Sequence, residues 1–131
     1  GEGNGMQAGR EIKFQVYDQE SKEMWSWEDI IEAESAMFIT LLDILRHDQF
    51  IKRQYTGLRD KNGKEIYEGD VWLLQGSDTP RVIVWHRYGW WFQYPGSAVT
   101  KPVEWTEDGE IIGNIYENPE LLEVGNDASR T

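Results

Sequence analysis

The chain has 131 residues, of which 39% are hydrophobic, which supports one modest core and argues against a protein embedded in a membrane. It has no cysteine, which excludes disulfides, thiolate catalysis and thiolate metal sites and suits a reducing cytoplasm. Its formal net charge of −11 argues against nucleic-acid binding, because contact with a phosphate backbone needs many Lys or Arg side chains. The simplest interpretation of this acidity is solubility.

The N-terminal part of the chain predicts a β-hairpin followed by a helix. Alternation of apolar and polar residues over 11–17 predicts a half-buried strand, and a second strand over 23–27 would complete a hairpin within 10–31. Residues 32–48 carry an apolar stripe at helical spacing, with acids near the start and basic residues near the end. We therefore expect one helix over 32–48.

The following segment, up to residue 124, has the pattern of short strands joined by turns. Asn62-Gly63 is typical of the centre of a tight hairpin turn, since both residues tolerate a positive φ. At the next bend we expect Gly69 to relieve a backbone restriction and the side chain of Asp70 to cap the bend. These features predict turns at two defined positions.

Three acidic residues of this segment, Glu65, Glu68 and Asp70, allow a second interpretation as a carboxylate cluster for a metal ion or for acid–base chemistry. With no histidine nearby and turn glycines among them, we favour a structural role. The segment therefore predicts no metal site.

The two histidines, His47 and His86, have no recognised metal-ligand spacing. His86 could form a base and orienting pair with Asp78 or Glu104, but a partly exposed loop histidine without such a role is the simpler interpretation. We therefore expect no catalytic residue, no cofactor and no enzymatic activity.

Three blocks of the sequence, in order, resemble a known family: residues 10–18, 54–71 and 112–122. On these blocks the chain resembles the YopX proteins of bacteriophages and prophages. The resemblance implies a mostly β fold with a small SH3-like barrel, and no assigned activity. The signature positions, which we interpret as structural, are Tyr55, Thr56, Gly57, Asp60, Gly63, Ile66, Tyr67, Gly69, Asp70, Gly113, Asn114, Tyr116, Asn118 and Pro119.

The pattern and the resemblance together predict a mainly β protein with one helix. We expect a flexible leader over 1–9, one domain over 10–124 and a loose tail over 125–131. Within the domain, an SH3-like barrel over 50–124 follows the N-terminal β-hairpin and the helical insertion.

An aromatic hairpin is the candidate interaction surface. Residues 81–86 and 90–94 predict two strands reversed around 87–89, and both faces of the second strand are aromatic. A small barrel cannot cover both faces, so part of this hairpin should be exposed unless a partner, the helix or another subunit covers it. The residues of the candidate surface are Trp85, Trp90, Trp91 and Tyr94.

The sequence supports a non-catalytic accessory protein of phage or prophage origin, in the cytoplasm of a bacterial host, that binds another protein or forms a homo-oligomer. Seven Trp residues are more than one core needs, and Trp and Tyr anchor interfaces. The competing interpretation is that the barrel and helix bury them all. Two further alternatives are a nucleic-acid module that stacks bases on aromatic side chains and an acidic decoy of a nucleic-acid-binding host protein.

Overall fold

The computed structural model describes residues 11–36, 39–98 and 100–123. The predicted mainly β fold is confirmed: two antiparallel sheets, one of them curled into a half-barrel, are accompanied by two helices. The first sheet, in spatial order β2-β1-β3-β4, contains β1 (Phe14–Asp18), β2 (Glu23–Trp25), β3 (Phe50–Arg59) and β4 (Glu65–Tyr67). The second, in order β8-β7-β6-β5-β9, contains β5 (Asp70–Leu74), β6 (Arg81–His86), β7 (Gly89–Gln93), β8 (Thr100–Pro102) and β9 (Gly109–Asn114).

The N-terminal hairpin forms as predicted, with Val16 of β1 opposite Trp25 of β2. The other edge of β1 pairs with β3, where Phe14 lies opposite Gln54, so the hairpin and the start of the expected barrel region share one sheet. A small core on this sheet also includes residues of both helices: Val16, Ile30, Ile44 and Phe50, with Trp25, Trp27, Ile39 and Leu41 packed against it.

The predicted alternation along β1 is wrong at its start. Ile12 lies outside the strand and is 71% exposed, whereas Lys13 is buried. Lys13 is buried because its Nζ donates to Glu65 at 2.7 Å and lies 5.0 Å from the centre of the Tyr55 ring. Burial of a lysine stem with a paired ammonium replaces the apolar contact that the pattern predicts.

The single helix predicted over 32–48 is two helices, α1 (Trp27–Ser35) and α2 (Leu41–Arg46). A capping box starts each one: Ser26 and Asp29 exchange hydrogen bonds at the start of α1, and Thr40 and Asp43 do so at the start of α2. Trp27, predicted to end a strand, is the first residue of α1. Over the described residues, no helix is both long and apolar enough to cross a bilayer.

The second sheet has its own core. Trp72 stacks on Phe92 with ring centres 4.7 Å apart, and its indole N–H donates to the carbonyl of Thr106 at 3.0 Å, in a 3-10 helix over Thr106–Asp108. Ile66 of β4 packs into this core, which also contains Ile83. The first sheet therefore contributes one residue to the core of the second.

The turn predicted at Asn62-Gly63 is confirmed but is longer than a two-residue turn. Residues 60–64 join β3 to β4, and of the two predicted residues only Gly63 has a positive φ, of 80°. The carboxylate of Asp60 organises the turn by accepting from the backbone N–H groups of Asn62 and Lys64, each at 2.9 Å. An Asp side chain that binds the following backbone explains the wider turn.

Candidate interaction surface

The aromatic hairpin forms from β6 and β7 as predicted. Trp85 lies opposite Trp90, and Ile83 lies opposite Phe92. The two indole rings pack edge to face, with centres 4.9 Å apart at an interplanar angle of 72°. Paired residues share a face, so these four side chains lie on the inner face of the curled sheet.

The four residues of the candidate surface do not lie together. Trp85 and Trp90 share the inner face near the turn, whereas Trp91 lies on the opposite face with its ring 6.2 Å from that of His86. Tyr94 follows the far end of β7, with its ring 5.2 Å from the guanidinium of Arg81. The structure thus brings two of the four residues together and separates the other two.

The turn of this hairpin is backbone-strained and carries large side chains. Arg87 and Tyr88 both lie in the left-handed region, with φ of 48° and 69°. Each such non-glycine residue costs about 1–2 kcal/mol, and Asn-Gly is the common choice at a two-residue turn. Tyr88 is 97% exposed and Trp85 is 50% exposed. We call Trp85, Arg87, Tyr88 and Trp90 the hairpin tip.

Hydrogen bonding at the hairpin tip is incomplete. The indole N–H of Trp91 donates to the carbonyl of His86 and ties the strand end to the turn. The indole N–H of Trp90 is buried and has no acceptor among the described residues. A buried donor without a partner costs about 1–3 kcal/mol. The tip therefore combines exposed aromatic area with a buried donor that lacks an acceptor among the described residues.

A buried ion pair lies where the two sheets meet. Arg53 of β3 is 1% exposed, and its guanidinium pairs with the carboxylate of Asp70, the first residue of β5. Its other nitrogens donate to the Glu68 carbonyl at 2.8 Å and to the Gln15 side chain at 2.9 Å. Asp70 also accepts from the backbone N–H of Tyr67 at 2.7 Å, which confirms the predicted cap. We call Arg53 and Asp70 the junction pair.

Two groups at this junction have shifted pKa values. Burial raises the pKa of Asp70 above its usual range, against the opposing effects of Arg53 and of the Tyr67 N–H. Burial also raises the pKa of Tyr116, whose ring centre lies 5.6 Å from the Arg53 guanidinium carbon. The junction is therefore a region of low dielectric in which an unpaired charge is costly.

Glycines at the junction allow close packing. Gly69 has a φ of 87°, as the predicted bend requires, and a Cβ there would lie 2.8 Å from the Tyr116 ring. A Cβ on Gly113 would lie 2.6 Å from the side-chain oxygen of Asn118, which accepts from the Asn114 N–H at 3.1 Å. Both positions need glycine for steric reasons.

The remaining signature residues have structural contacts. Thr56 donates to the carbonyl of Ile66 at 2.8 Å, within an irregularity of the β3 and β4 pairing that contains Gly57. The rings of Tyr55 and Tyr67 lie 5.4 Å apart. Pro119 begins a 3-10 helix over Pro119–Glu123. These contacts lie within the β3 and β4 pairing of the first sheet and in the last 3-10 helix.

The three carboxylates considered as a cluster have separate surroundings. Burial would raise the pKa of Glu65, but the Lys13 ammonium, the Tyr67 hydroxyl and the charge of Arg59 together hold that pKa below its usual value. Asp70 belongs to the junction pair, and Glu68 contributes its backbone carbonyl to Arg53. Over 11–36, 39–98 and 100–123, no group of three His, Asp or Glu side chains is arranged to hold a metal ion.

His86 lies at the exposed end of β6. None of the contacts made within the described residues joins it to Asp78 or Glu104. Its described ring contact is with Trp91. The arrangement thus assembles no base and orienting pair at this histidine.

Comparison with known families matches this architecture. A family model described as YopX protein matches residues 13–123, from just before β1 to the end of the last 3-10 helix. The chain belongs to the YopX family. The crystal structure of protein EF1440 from Enterococcus faecalis is similar at a TM-score of 0.62 and 22% identity, and the match covers 88% of this chain and 100% of that one. At that identity the likeness shows a shared fold. No curated protein matches the chain.

Sequence reasoning missed two features of this YopX chain. Arg53 was not among the signature residues, although a lone Arg at an inward position of a strand is a signal for a buried ion pair. Arg81 and Lys101 gave no signal, because they are distant in sequence and the pairing of β6, β7 and β8 brings them to one face, where Trp105 also lines the cleft.

Proposed function

We propose that this YopX protein is a phage- or prophage-derived accessory protein that binds another protein through the hairpin tip and catalyses no reaction. The observation that carries the proposal is the left-handed Arg87 and Tyr88 turn, which presents a 97% exposed Tyr beside a half-exposed Trp85. Strained backbone of this kind concentrates at functional sites.

The residue types at the tip favour a protein partner. Trp, Tyr and Arg are the residues that most often dominate the free energy of protein interfaces. The tip offers all three within one hairpin. An Asn-Gly turn would relieve the strain but would remove two of the contact side chains.

Charge argues against the nucleic-acid alternative. The tip contains aromatic rings on which bases stack, but a net charge of −11 repels a phosphate backbone. The absence of catalysis is supported by the junction pair and by the pairing of Glu65 with Lys13, since both sets of charges are neutralised within the fold.

The test is affinity capture from a bacterial host lysate, with each captured protein then purified and its dissociation constant measured. The binding variant is Trp85→Ser/Tyr88→Ser. The matched control is Ile31→Ser/Leu42→Ser, which removes exposed apolar side chains from α1 and α2. We expect a partner that binds the wild type and the control equally and the hairpin variant at least tenfold more weakly, with all three folded by circular dichroism.

Two outcomes would contradict the proposal. A partner lost in the helix control but kept in the hairpin variant would place the binding surface on the helices. Binding of a single-stranded oligonucleotide that weakens steeply with salt and requires Trp85 would favour the nucleic-acid alternative. Light scattering of the purified protein identifies the case in which the partner is a second copy, since its mass then falls in the hairpin variant.

A further inference from the structure

A cleft lies on the inner face of the second sheet, on the side of the hairpin that is remote from the tip. Its volume is about 240 Å³, and its aromatic walls are Trp72, Phe92 and Trp105. Trp72 and Phe92 belong to the core of the sheet and are 1% exposed, whereas Trp105 is 68% exposed. The cleft therefore has a rigid floor and one accessible aromatic side.

Arg81 is held in this cleft without an acidic partner. Its guanidinium carbon lies 5.3 Å from the Trp72 ring centre and 5.2 Å from the ring centres of Phe92 and Tyr94. Its Nε is buried with no acceptor, and no ion pair with Arg81 forms within the described part of the chain. A stacked guanidinium that lacks a carboxylate retains its capacity for a bidentate hydrogen bond.

A second cation lines the same cleft. Lys101 of β8 lies opposite Phe92 of β7, on the inner face, and its ammonium is within ion-pair distance of no described acid. Glu104 and Asp108 also line the cleft, and both residues are exposed. Acids on the exposed side disfavour a polyanion, so the two cations suit a ligand with a single negative charge.

Trp105 is fixed in an unusual conformation beside these cations. It has a φ of 57°, in the left-handed region, immediately before the 3-10 helix whose Thr106 carbonyl accepts from Trp72. A bulky residue at that φ is a strained outlier. The fold thus holds a large exposed ring against the opening of the cleft.

We infer that this cleft binds a carboxylate carried by a ligand of the size of one amino-acid residue, with Arg81 and Lys101 as the anion-binding groups and Trp105 packed on the apolar part. A volume of about 240 Å³ lies below the ~300–1,000 Å³ that is usual for larger small-molecule ligands. The carboxylate is either a side chain or a chain terminus of a polypeptide. This site is separate from the hairpin tip and does not depend on its function.

The test uses fluorine NMR of the full chain labelled with 5-fluorotryptophan, in which Trp105→Phe identifies the Trp105 resonance. The probes are N-acetyl-phenylalanine, which has a terminal carboxylate, N-acetyl-glutamate amide, which has a side-chain carboxylate, and the neutral N-acetyl-phenylalanine amide. We expect a saturable shift of the Trp105 resonance with at least one carboxylate probe and none with the neutral amide. The carboxylate probe that binds more tightly shows whether the natural ligand presents a chain terminus or a side chain.

Variants separate an ion contact from a packing effect. Arg81→Met keeps the apolar part of the side chain and should weaken binding of the carboxylate probe at least tenfold. Lys101→Met changes a partly exposed position and should also weaken binding of the carboxylate probe. It therefore tests the site independently if Arg81→Met does not fold. The control Arg46→Met removes one exposed positive charge from the end of α2 and should leave the dissociation constant unchanged.

Three results would overturn the inference: an equal response to the neutral amide, an unchanged affinity in both cleft variants, or tighter binding of inorganic phosphate than of either carboxylate. The first would make the cleft an apolar pocket. The second would place the ligand elsewhere, and the third would make it a phosphate site.

Discussion

Single residues determine how the two sheets of this protein are joined. Arg53 reaches β1 through Gln15, the bend through Glu68 and β5 through Asp70, so one side chain connects three segments. A buried charge is tolerated only when it is paired and hydrogen-bonded, and each of these partners contributes to that condition. The stability of the junction thus depends on Arg53 having all of these partners rather than on any one hydrogen bond.

Asp60 should make the free energy of unfolding depend measurably on pH in the acidic range. Burial alone would raise its pKa, but the backbone N–H groups of Ile111, Lys64 and Asn62 outweigh burial and hold the pKa below its usual 3.8. A lowered pKa stabilises the fold above the unfolded-state value, and this contribution is lost as the pH falls through the folded-state value. We expect the free energy of unfolding to fall below about pH 4, and this loss to be smaller in Asp60→Asn.

The measurement is urea denaturation of both proteins from pH 7 to pH 2.5. At pH 7 Asp60→Asn should be less stable by about 1–3 kcal/mol, because the amide nitrogen cannot accept from a buried backbone N–H. The two stability curves should converge at low pH. Parallel curves over the whole range would show that Asp60 contributes no pH dependence.

At the level of elements, the turn of the β6 and β7 hairpin carries two large side chains in a strained backbone conformation, which lowers the stability of the fold. Arg87→Asn/Tyr88→Gly should raise the free energy of unfolding by about 1 kcal/mol, because both new residues tolerate a positive φ. The same change should abolish binding to the partner of the hairpin tip. Lys22→Gly is the matched control, since Lys22 also has a positive φ, of 61°, at the β1 and β2 turn.

Chemical denaturation and the capture assay together check this prediction. The control should gain stability and keep its partner. If the hairpin variant gains no stability, the turn is not strained; if it gains stability and still binds, the tip is not the contact surface.

Elements with local signals were predictable, and elements with non-local ones were not. The β6 and β7 hairpin was predicted because its strands and turn are adjacent in sequence. The sequence pattern predicts one helix in place of two because the apolar residues form a continuous stripe. The capping boxes of Ser26 with Asp29 and of Thr40 with Asp43 are the signals that mark two starts. The Arg81 cleft had no local signal, since Lys101 and Trp105 are distant from Arg81 in sequence and only the pairing of the strands brings them together.

At the scale of the whole molecule, the two sheets form two cores that share an element. Ile66 of β4 packs into the core of the second sheet, and Arg53 and Asp70 connect β3 to β5. The two sheets cannot separate from each other without exposing the junction pair. A protein of this size with such a junction should unfold in one cooperative step.

The cooperativity prediction is tested by following urea denaturation with Trp fluorescence and with far-UV circular dichroism. In the wild type we expect coincident transitions. Arg53→Met should lower both midpoints together, corresponding to about 3–5 kcal/mol, because it leaves the Asp70 carboxylate buried and unpaired. Two separate transitions in the wild type would show that the sheets are independent folding units.

Strand β3 lies between β1 and β4, and β1 comes from the part of the chain that precedes both helices. A proteolytic cut that removed β1 and β2 would therefore leave one edge of β3 with open backbone donors and acceptors. Such an edge recruits a strand from another molecule, by exchange of hairpins or by aggregation. Integrity of β1 and β2 thus bears on the solubility of the whole protein as well as on its fold.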